Sequence, residues 1–174
     1  MNLRRPTASE YPPRHARYID LVPETDLPAA LSQQLDETGA LLAGIGEANA
    51  DARYAPGKWT IREVVGHVLD TERILGFRLL CFARGDTAVL ERADEELYVR
   101  NAAFARYSLA ELFDEFALIR NSHVSLVRHL PAEAWDRVGA AAGVTVSARA
   151  VAYLMLGHER HHVAIIQSRY LRGA

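Results

Sequence analysis

Five ionisable residues follow one another near the C-terminus, in the stretch His158-Glu159-Arg160-His161-His162. The letters match H-E-x-x-H, in which two histidines one helical turn apart bind zinc and the glutamate acts as a general base in metallopeptidases. These residue types indicate metal chemistry, either as a self-contained peptidase motif or as one part of a different site. The helix that carries them helps to decide between the two.

The histidines fall on the apolar side of the C-terminal helix. At about 100° per residue, four apolar residues lie within about 60° of His158 on the helical wheel: Val151, Leu154, Met155 and Ile165. His162 lies about 40° to one side, inside this stripe, whereas His161 lies about 60° to the other side, at its edge. His158 and His162 are therefore the inward pair, and imidazoles at i and i+4 can reach one metal ion. The alternative is a pair of core histidines bonded to other protein groups.

A metallopeptidase of this type usually takes its third ligand from the residues after the motif. Residues 163–174 contain no His, Asp, Glu or Cys, and the sequence predicts no sheet to hold an extended substrate. We therefore look upstream, where His67 lies on the flank of the apolar stripe of another helix, and predict it as the third ligand. Three histidines would leave open positions for water or substrate, as in a catalytic metal site.

Three further residues are candidates for proton transfer: Asp70, Glu159 and His161. Asp70 follows His67 by three positions, so it could instead orient that ring or be a solvated surface carboxylate. Glu159 points about 100° away from His158, and the alternative is a flank carboxylate or the partner of an arginine. Glu159 to His162 also forms one Glu-x-x-His, but di-iron bundles need two such motifs.

The other histidines and the lone cysteine have simpler interpretations. His123 lies on the apolar stripe of the third helix, where we expect a core or cavity-lining role, with a place in the site as the alternative. His15 and His129 are expected to be exposed. Cys81 follows His67 by 14 residues, or about 21 Å along a helix, so it cannot reach the same metal and is expected to pack in the core.

Four amphipathic helices of about 20 residues position these side chains. They begin after four predicted N-caps: Asp26, Thr60, Ser108 and Ser147. They end near residues 44–49, 82, 130 and 170, and a short helix is expected around 94–105 in the long crossover between the second and third. Residues 139–146 interrupt the helical pattern without predicting a strand pair. The predicted fold is all-α, a four-helix bundle with a long crossover.

The N-terminal segment differs from the bundle in composition. Residues 1–23 contain four of the seven prolines, which disfavour helix, so we predict an extended arm over residues 1–23 and a bundle domain over 24–174. No apolar h-region follows the N-terminal basic residues, and no window approaches the roughly 20 apolar residues of a membrane span.

Composition excludes several classes of protein. The chain is 49% hydrophobic and 24% charged, as expected of a globular protein, and its formal net charge of -2 offers little attraction for nucleic acid or an anionic membrane. A single cysteine cannot form an internal disulfide, which favours a cytoplasmic location.

The sequence resembles the DinB-like superfamily of four-helix bundles, which includes the YfiT-type metal-dependent hydrolases and the bacillithiol S-transferases. The resemblance rests on five segments and on the proline-rich arm from Arg5 to Ile19: Lys58–Glu63, Gly66-His67, Asp70–Arg73, Phe82–Asp86 and Gly157–His162. In that family one histidine of the second helix and two of the last bind a divalent metal. These positions correspond here to His67, His158 and His162.

The resemblance implies a metal-dependent enzyme acting on a small molecule. Characterised members mainly transfer low-molecular-weight thiols to electrophiles, so we expect a thiol S-transferase that uses zinc or nickel, with iron or manganese as alternatives. A metal-dependent hydrolase, with Glu159, Asp70 or His161 as the base, is a second possibility, and a non-catalytic metal-binding stress or interaction protein is a third. A homodimer through an apolar helix face is also expected. Arg73, Arg78 and the crossover at residues 86–107 are expected to shape the substrate pocket.

Overall fold

The computed structural model describes residues 3–171. Six α-helices follow one another in this range: α1 (Ala16–Ile19), α2 (Leu27–Ile45), α3 (Ile61–Ala83), α4 (Glu95–Ala102), α5 (Leu109–Arg128) and α6 (Ala148–Ile165). A π-helical turn, Ile166–Tyr170, extends α6. Among residues 3–171, every helix is too short or too polar to span a lipid bilayer.

The four long helices begin where the capping residues predict. The side chains of Asp26, Thr60, Ser108 and Ser147 each accept a hydrogen bond from a backbone amide in the first turn of the following helix. Thr60 and Ser108 also form complete capping boxes with glutamates three residues later. The prediction of a helical bundle with a long crossover is confirmed, and α4 lies within that crossover.

The packing order of the long helices places α3 beside α6. Helix α3 packs against α5 and α6, and α2 packs against the same two helices, so α2 lies diagonally opposite α3. The chain therefore crosses one end of the bundle between α2 and α3, and it crosses again between α5 and α6. This order brings His67 of α3 next to the histidines of α6.

A small β-hairpin corrects the prediction for residues 139–146. Strand β1 (Val138–Ala141) pairs antiparallel with β2 (Val144–Ser147) through a two-residue turn at Ala142 and Gly143, both with positive φ. The strands are short, but Gly139 lies directly against the Phe82 ring, where a Cβ atom would come within 1.9 Å of it. This contact with α3 supports a hairpin that would be marginal in isolation.

The N-terminal arm contains more helix than the predicted extended segment. Two 3-10 turns, Ala8–Glu10 and Pro13–His15, lead into α1, which packs against α6. The two segments approach so closely that a Cβ atom at Gly157 would lie 2.1 Å from the Tyr18 carbonyl oxygen. Glycine at this position lets the arm lie directly on the helix that carries His158.

A buried ion-pair cluster joins the four long helices. It consists of Arg120 of α5, Glu72 of α3 and Glu159 of α6, which are all almost completely buried. Arg120 donates to the two oxygens of Glu72 at 2.8 and 3.0 Å and forms an ion pair with Glu159 at 2.8 Å. Helix α2 contributes Thr38, whose hydroxyl lies 2.6 Å from Glu159, and the Gln34 amide, which also donates to that carboxylate.

Replacing Arg120 by methionine tests the importance of this cluster. Arg120→Met leaves two carboxylates buried without a cation, so we expect the free energy of unfolding to fall by about 3 to 5 kcal/mol. Urea denaturation at neutral pH measures this loss. Arg128→Met, an exposed position on the same helix, is the matched control and should change stability by about 0.5 kcal/mol or less. Equal stability of the two variants would contradict the assignment.

Candidate metal centre

Three histidines from two neighbouring helices meet in the bundle. His67 of α3 and His158 and His162 of α6 each offer a ring nitrogen, and these nitrogens all lie within 4.8 Å of one another. The Nε2 atoms of His67 and His158 are 3.1 Å apart. The structure therefore brings together the three residues that helical geometry and the family resemblance had selected.

Packing largely removes these rings from water. His67 and His158 are buried, while His162 is half-buried. Aromatic side chains lie on either side: the Trp59 ring centroid is 5.0 Å from that of His67, and the Tyr18 ring centroid is 5.5 Å from that of His158. The cluster therefore has protein walls formed by the arm and by the segment that precedes α3.

Burial keeps the three imidazoles neutral at physiological pH. It lowers the pKa of His67 to about 4. Burial, followed by the proximity of His67, lowers the pKa of His162 to about 3, and burial together with both neighbouring rings lowers the pKa of His158 well below its usual value. Metal binding requires the neutral imidazole, so no proton would have to be displaced near pH 7.

The donor set fits a late first-row divalent ion. Nitrogens about 2.0 to 2.1 Å from a tetrahedral ion lie roughly 3.4 Å apart, close to the observed separation of His67 and His158. Imidazole nitrogen suits zinc, nickel or iron, whereas magnesium and calcium prefer oxygen ligands. The three histidines could hold such an ion and leave part of its coordination sphere to water or substrate.

Glu159 belongs to the buried ion-pair cluster. Its carboxylate accepts hydrogen bonds from Thr38 and Gln34 and pairs with Arg120. Burial raises the pKa of Glu159 despite the nearby guanidinium of Arg120. The sequence left pairing with an arginine as an alternative to proton transfer for Glu159, and the structure shows this pairing. The carboxylate of the H-E-x-x-H pattern is engaged in holding helices together.

Asp70 and His161 lie beside the cluster. Asp70 accepts from Arg73 at 3.1 Å and lines a small cavity that His67 also lines, and burial raises its pKa. His161 is half-buried, with its ring centroid 5.2 Å from that of His162, and burial lowers its pKa. These two residues are the remaining candidates for proton transfer.

Other predicted residues lie outside the cluster. His123 is held by Glu72, whose oxygen is 3.0 Å from its Nδ1 atom, in agreement with a core role. Cys81 is buried in the core, where burial raises the pKa of its thiol. His129 is exposed as expected, whereas His15 is half-buried and not exposed. His15 belongs to the arm and lies beside α3 and the hairpin, a position that sequence periodicity could not show.

Sequence reasoning missed Arg120 and Glu72. A signal was present, because Arg120 lies four residues from Phe116 and from Val124 and so interrupts the buried face of α5. Glu72 interrupts the buried face of α3 in the same way, between Leu69 and Leu75. Opposite charges on the buried faces of two helices indicate an internal ion pair.

Cavities open on two sides of the histidine cluster. A cavity of about 130 Å³ reaches His158 and adjoins a larger one of about 440 Å³, and the two share Arg78 of α3 and Glu95 of the crossover. A third, of about 180 Å³, is lined by His162 and by the aromatic rings of Tyr54, Trp59 and Tyr170. Arg73 is instead paired with Asp70 and Glu115.

A helical bundle in which histidines from neighbouring helices converge beside open cavities has the architecture of a bundle-core metal site. The chain belongs to the DinB superfamily, whose model matches residues 30–166. No curated protein matches the sequence significantly.

Several solved structures share the fold, including the following two. One is YfiT from Bacillus subtilis, described as a probable metal-dependent hydrolase with an unusual four-helix bundle topology. It is 18% identical, with a TM-score of 0.70 over 98% of this chain and 93% of that chain. The other is the DinB-like protein YjoA from the same organism, also 18% identical, with a TM-score of 0.59 over 83% of this chain and 88% of that chain. These likenesses concern the fold.

The lowered histidine pKa values predict how stability depends on pH. The pKa of His67 is about 4 in the folded protein and about 6.5 when unfolded, so below pH 6.5 the unfolded chain binds a proton that the folded protein does not. Stability of the chelator-treated protein should therefore fall as pH drops from about 6.5 to about 4, and His67 alone should account for about 3 kcal/mol.

Urea denaturation across this pH range, comparing wild type with His67→Asn, measures that contribution. The variant should lose less stability on acidification, whereas His129→Asn, at an exposed position, should behave as wild type. If the free energy of unfolding of His67→Asn depended on pH as in wild type, His67 would titrate normally in the folded protein, which contradicts the prediction.

Proposed function

We propose that His67, His158 and His162 bind a divalent transition metal, and that the protein is a metal-dependent enzyme that transfers a low-molecular-weight thiol to an electrophile. One observation carries this proposal: three neutral imidazoles converge beside open cavities, while the neighbouring Glu159 is committed to Arg120. The arrangement supports chemistry in which the substrate itself supplies the nucleophile.

The protein's residues would bind the ion, exclude water and orient the substrates. When bound, the ion would act as a Lewis acid that lowers the pKa of a thiol or a water molecule. The half-buried ring of His161 lies next to His162 and is able to accept a proton. Cys81 lies in the core with a raised pKa, so the sulfur nucleophile would come from the cosubstrate.

The reaction balances without a redox partner. The thiol S–H bond is broken and its proton passes to His161 or to solvent. The sulfur electron pair then forms a bond to an electrophilic carbon, and the bond from that carbon to its leaving group breaks, with the leaving group taking the electron pair. Cavities on both sides of the histidines would allow the thiol and the electrophile to approach from different directions.

Metal-dependent hydrolysis is the second candidate. Asp70 favours it, because this carboxyl lines a cavity together with His67 and has a raised pKa, which suits a general base. The similarity to YfiT, itself described as a probable metal-dependent hydrolase, is consistent with this reading. A water molecule would then replace the thiol as nucleophile.

A homodimer stays a prediction. Phe77 of α3 and Leu118 of α5 are both largely exposed, and these two helices pack against each other. Exposed apolar side chains of this kind are compatible with pairing of two chains.

Metal analysis of the purified protein tests the ligand set. We expect about one metal ion per wild-type chain and a large loss of bound metal in His67→Ala and in His162→Ala, because two remaining imidazoles bind far more weakly. His129→Ala is the control, since it removes an exposed histidine that lies outside both the histidine cluster and the ion-pair cluster. Equal metal content in all four proteins would overturn the site assignment.

An activity assay on the same proteins separates the two reactions. Thiol-dependent consumption of an electrophile such as a haloarene should occur in wild type and be lost in His67→Ala. Turnover of activated esters without any thiol would favour the hydrolase. Bound metal without either activity would favour a non-catalytic metal-binding protein.

A further inference from the structure

Arginines from three separate segments surround the larger cavity near His158. The arm provides Arg14 and Arg17, α3 provides Arg78, and the crossover provides Arg92. We call this the arginine-lined cavity. Its volume, about 440 Å³, is within the range of small-molecule sites, which commonly measure about 300 to 1,000 Å³.

These cations are poorly neutralised by protein groups. Within residues 3–171, the side chains of Arg14 and Arg92 make no hydrogen bond or ion pair. Arg17 donates to the neutral Tyr18 hydroxyl at 2.6 Å, and Arg78 donates only to the Glu91 carbonyl oxygen at 3.1 Å. Glu95 is the one carboxylate among the residues that line the cavity. By contrast, the buried side chains of Arg120 and Arg149 are each paired with a carboxylate. Converging guanidinium groups without counter-charges favour an anionic ligand.

Two partly buried groups strengthen this argument. Burial lowers the pKa of Arg78, so its guanidinium has lost part of its hydration and gains from an anionic partner. The Nδ1 atom of His15 is buried and has no hydrogen-bond partner among the described residues. Burial and the nearby arginines, Arg14 first, lower the pKa of His15 to about 4, so its ring is neutral and able to hydrogen-bond a ligand.

The arginine-lined cavity is continuous with the approach to the histidine cluster. The adjoining cavity of about 130 Å³ is lined by Arg14, His15 and Arg78 as well, and also by His158. A small molecule anchored by the arginines would therefore extend toward the site proposed to bind metal.

We propose that the arginine-lined cavity binds an oxyanion, a carboxylate or phosphate group, of the small-molecule substrate whose reacting atom lies at the histidine cluster. Both groups match the planar donor fork of a guanidinium. The assignment of this group to a substrate depends on the proposed enzymatic function, whereas anion binding itself depends only on the cavity.

Calorimetric titration of the full chain with succinate and with inorganic phosphate tests this inference. The titration is performed after chelation, so that the anions cannot bind a metal ion. We expect saturable binding with a Kd of about 1 mM or tighter, and weakening of about tenfold in Arg14→Gln and in Arg78→Gln. Tighter binding of succinate would indicate a carboxylate substrate, and tighter binding of phosphate a phosphorylated one.

Two controls distinguish a specific anion site from attraction by general surface charge. Arg100→Gln removes an exposed arginine of α4 that does not line the cavity, so it should bind as wild type. Neutral succinamide should not bind detectably. Equal affinities of wild type, Arg14→Gln and Arg78→Gln, or no saturable binding of either anion at about 10 mM, would overturn the inference.

The two proposals fail in different experiments. If metal content depends on His67 but anion affinity is unchanged in Arg14→Gln and Arg78→Gln, the oxyanion site is wrong and the metal site stands. If anion binding depends on Arg14 and Arg78 but the protein binds no metal, the proposed enzymatic function is wrong and the anion site stands. His67→Ala should retain the anion affinity of wild type in the chelated state.

Discussion

The ion pairs of Arg120 constrain the rest of this bundle. A guanidinium buried between helices needs carboxylates, and here they come from α3 and α6, while α2 adds hydrogen bonds to Glu159. Each contact limits the rotation of one helix about its axis. Because Glu159 directly follows His158, turning Glu159 toward Arg120 directs His158 about 100° away, toward α3 and His67. The ion pairs thus orient the histidine cluster.

The two carboxylates of this cluster are in different electrostatic situations. Burial acts to raise the pKa of Glu72, but Arg120 and His123 hold it below the usual value, whereas for Glu159 burial prevails and the pKa is raised. Glu159 is therefore the first of the two to take up a proton on acidification. A carboxyl committed in this way maintains the position of α6 and is poorly suited to act as the base of the H-E-x-x-H pattern.

The sequence predicted those parts of the structure that depend on residues close together along the chain. Thr60 and Ser108 defined helix starts because a capping box involves residues only three apart, and His158 and His162 were paired because one helical turn separates them. The link to His67 came from its place on a helical stripe and from the family resemblance. Its proximity then required the packing of α3 beside α6, which no local pattern specifies.

Features that depend on distant contacts were missed or incomplete. The hairpin needs Gly139 against Phe82, and the course of the arm needs Gly157 against the Tyr18 carbonyl. Burial of His15 and the convergence of arginines from three segments follow from that same course of the chain. Glu159 could not be assigned from spacing, because its partner Arg120 lies on a different helix.

X-ray absorption spectroscopy of the metal-loaded protein identifies the atoms bound to the ion and so tests whether the three histidines are its ligands. We expect scattering from three imidazole rings together with one or two light-atom ligands, and from two rings in His67→Ala reconstituted with excess metal. A coordination shell dominated by carboxylate oxygen, or one that is unchanged when His67 is replaced, would contradict it.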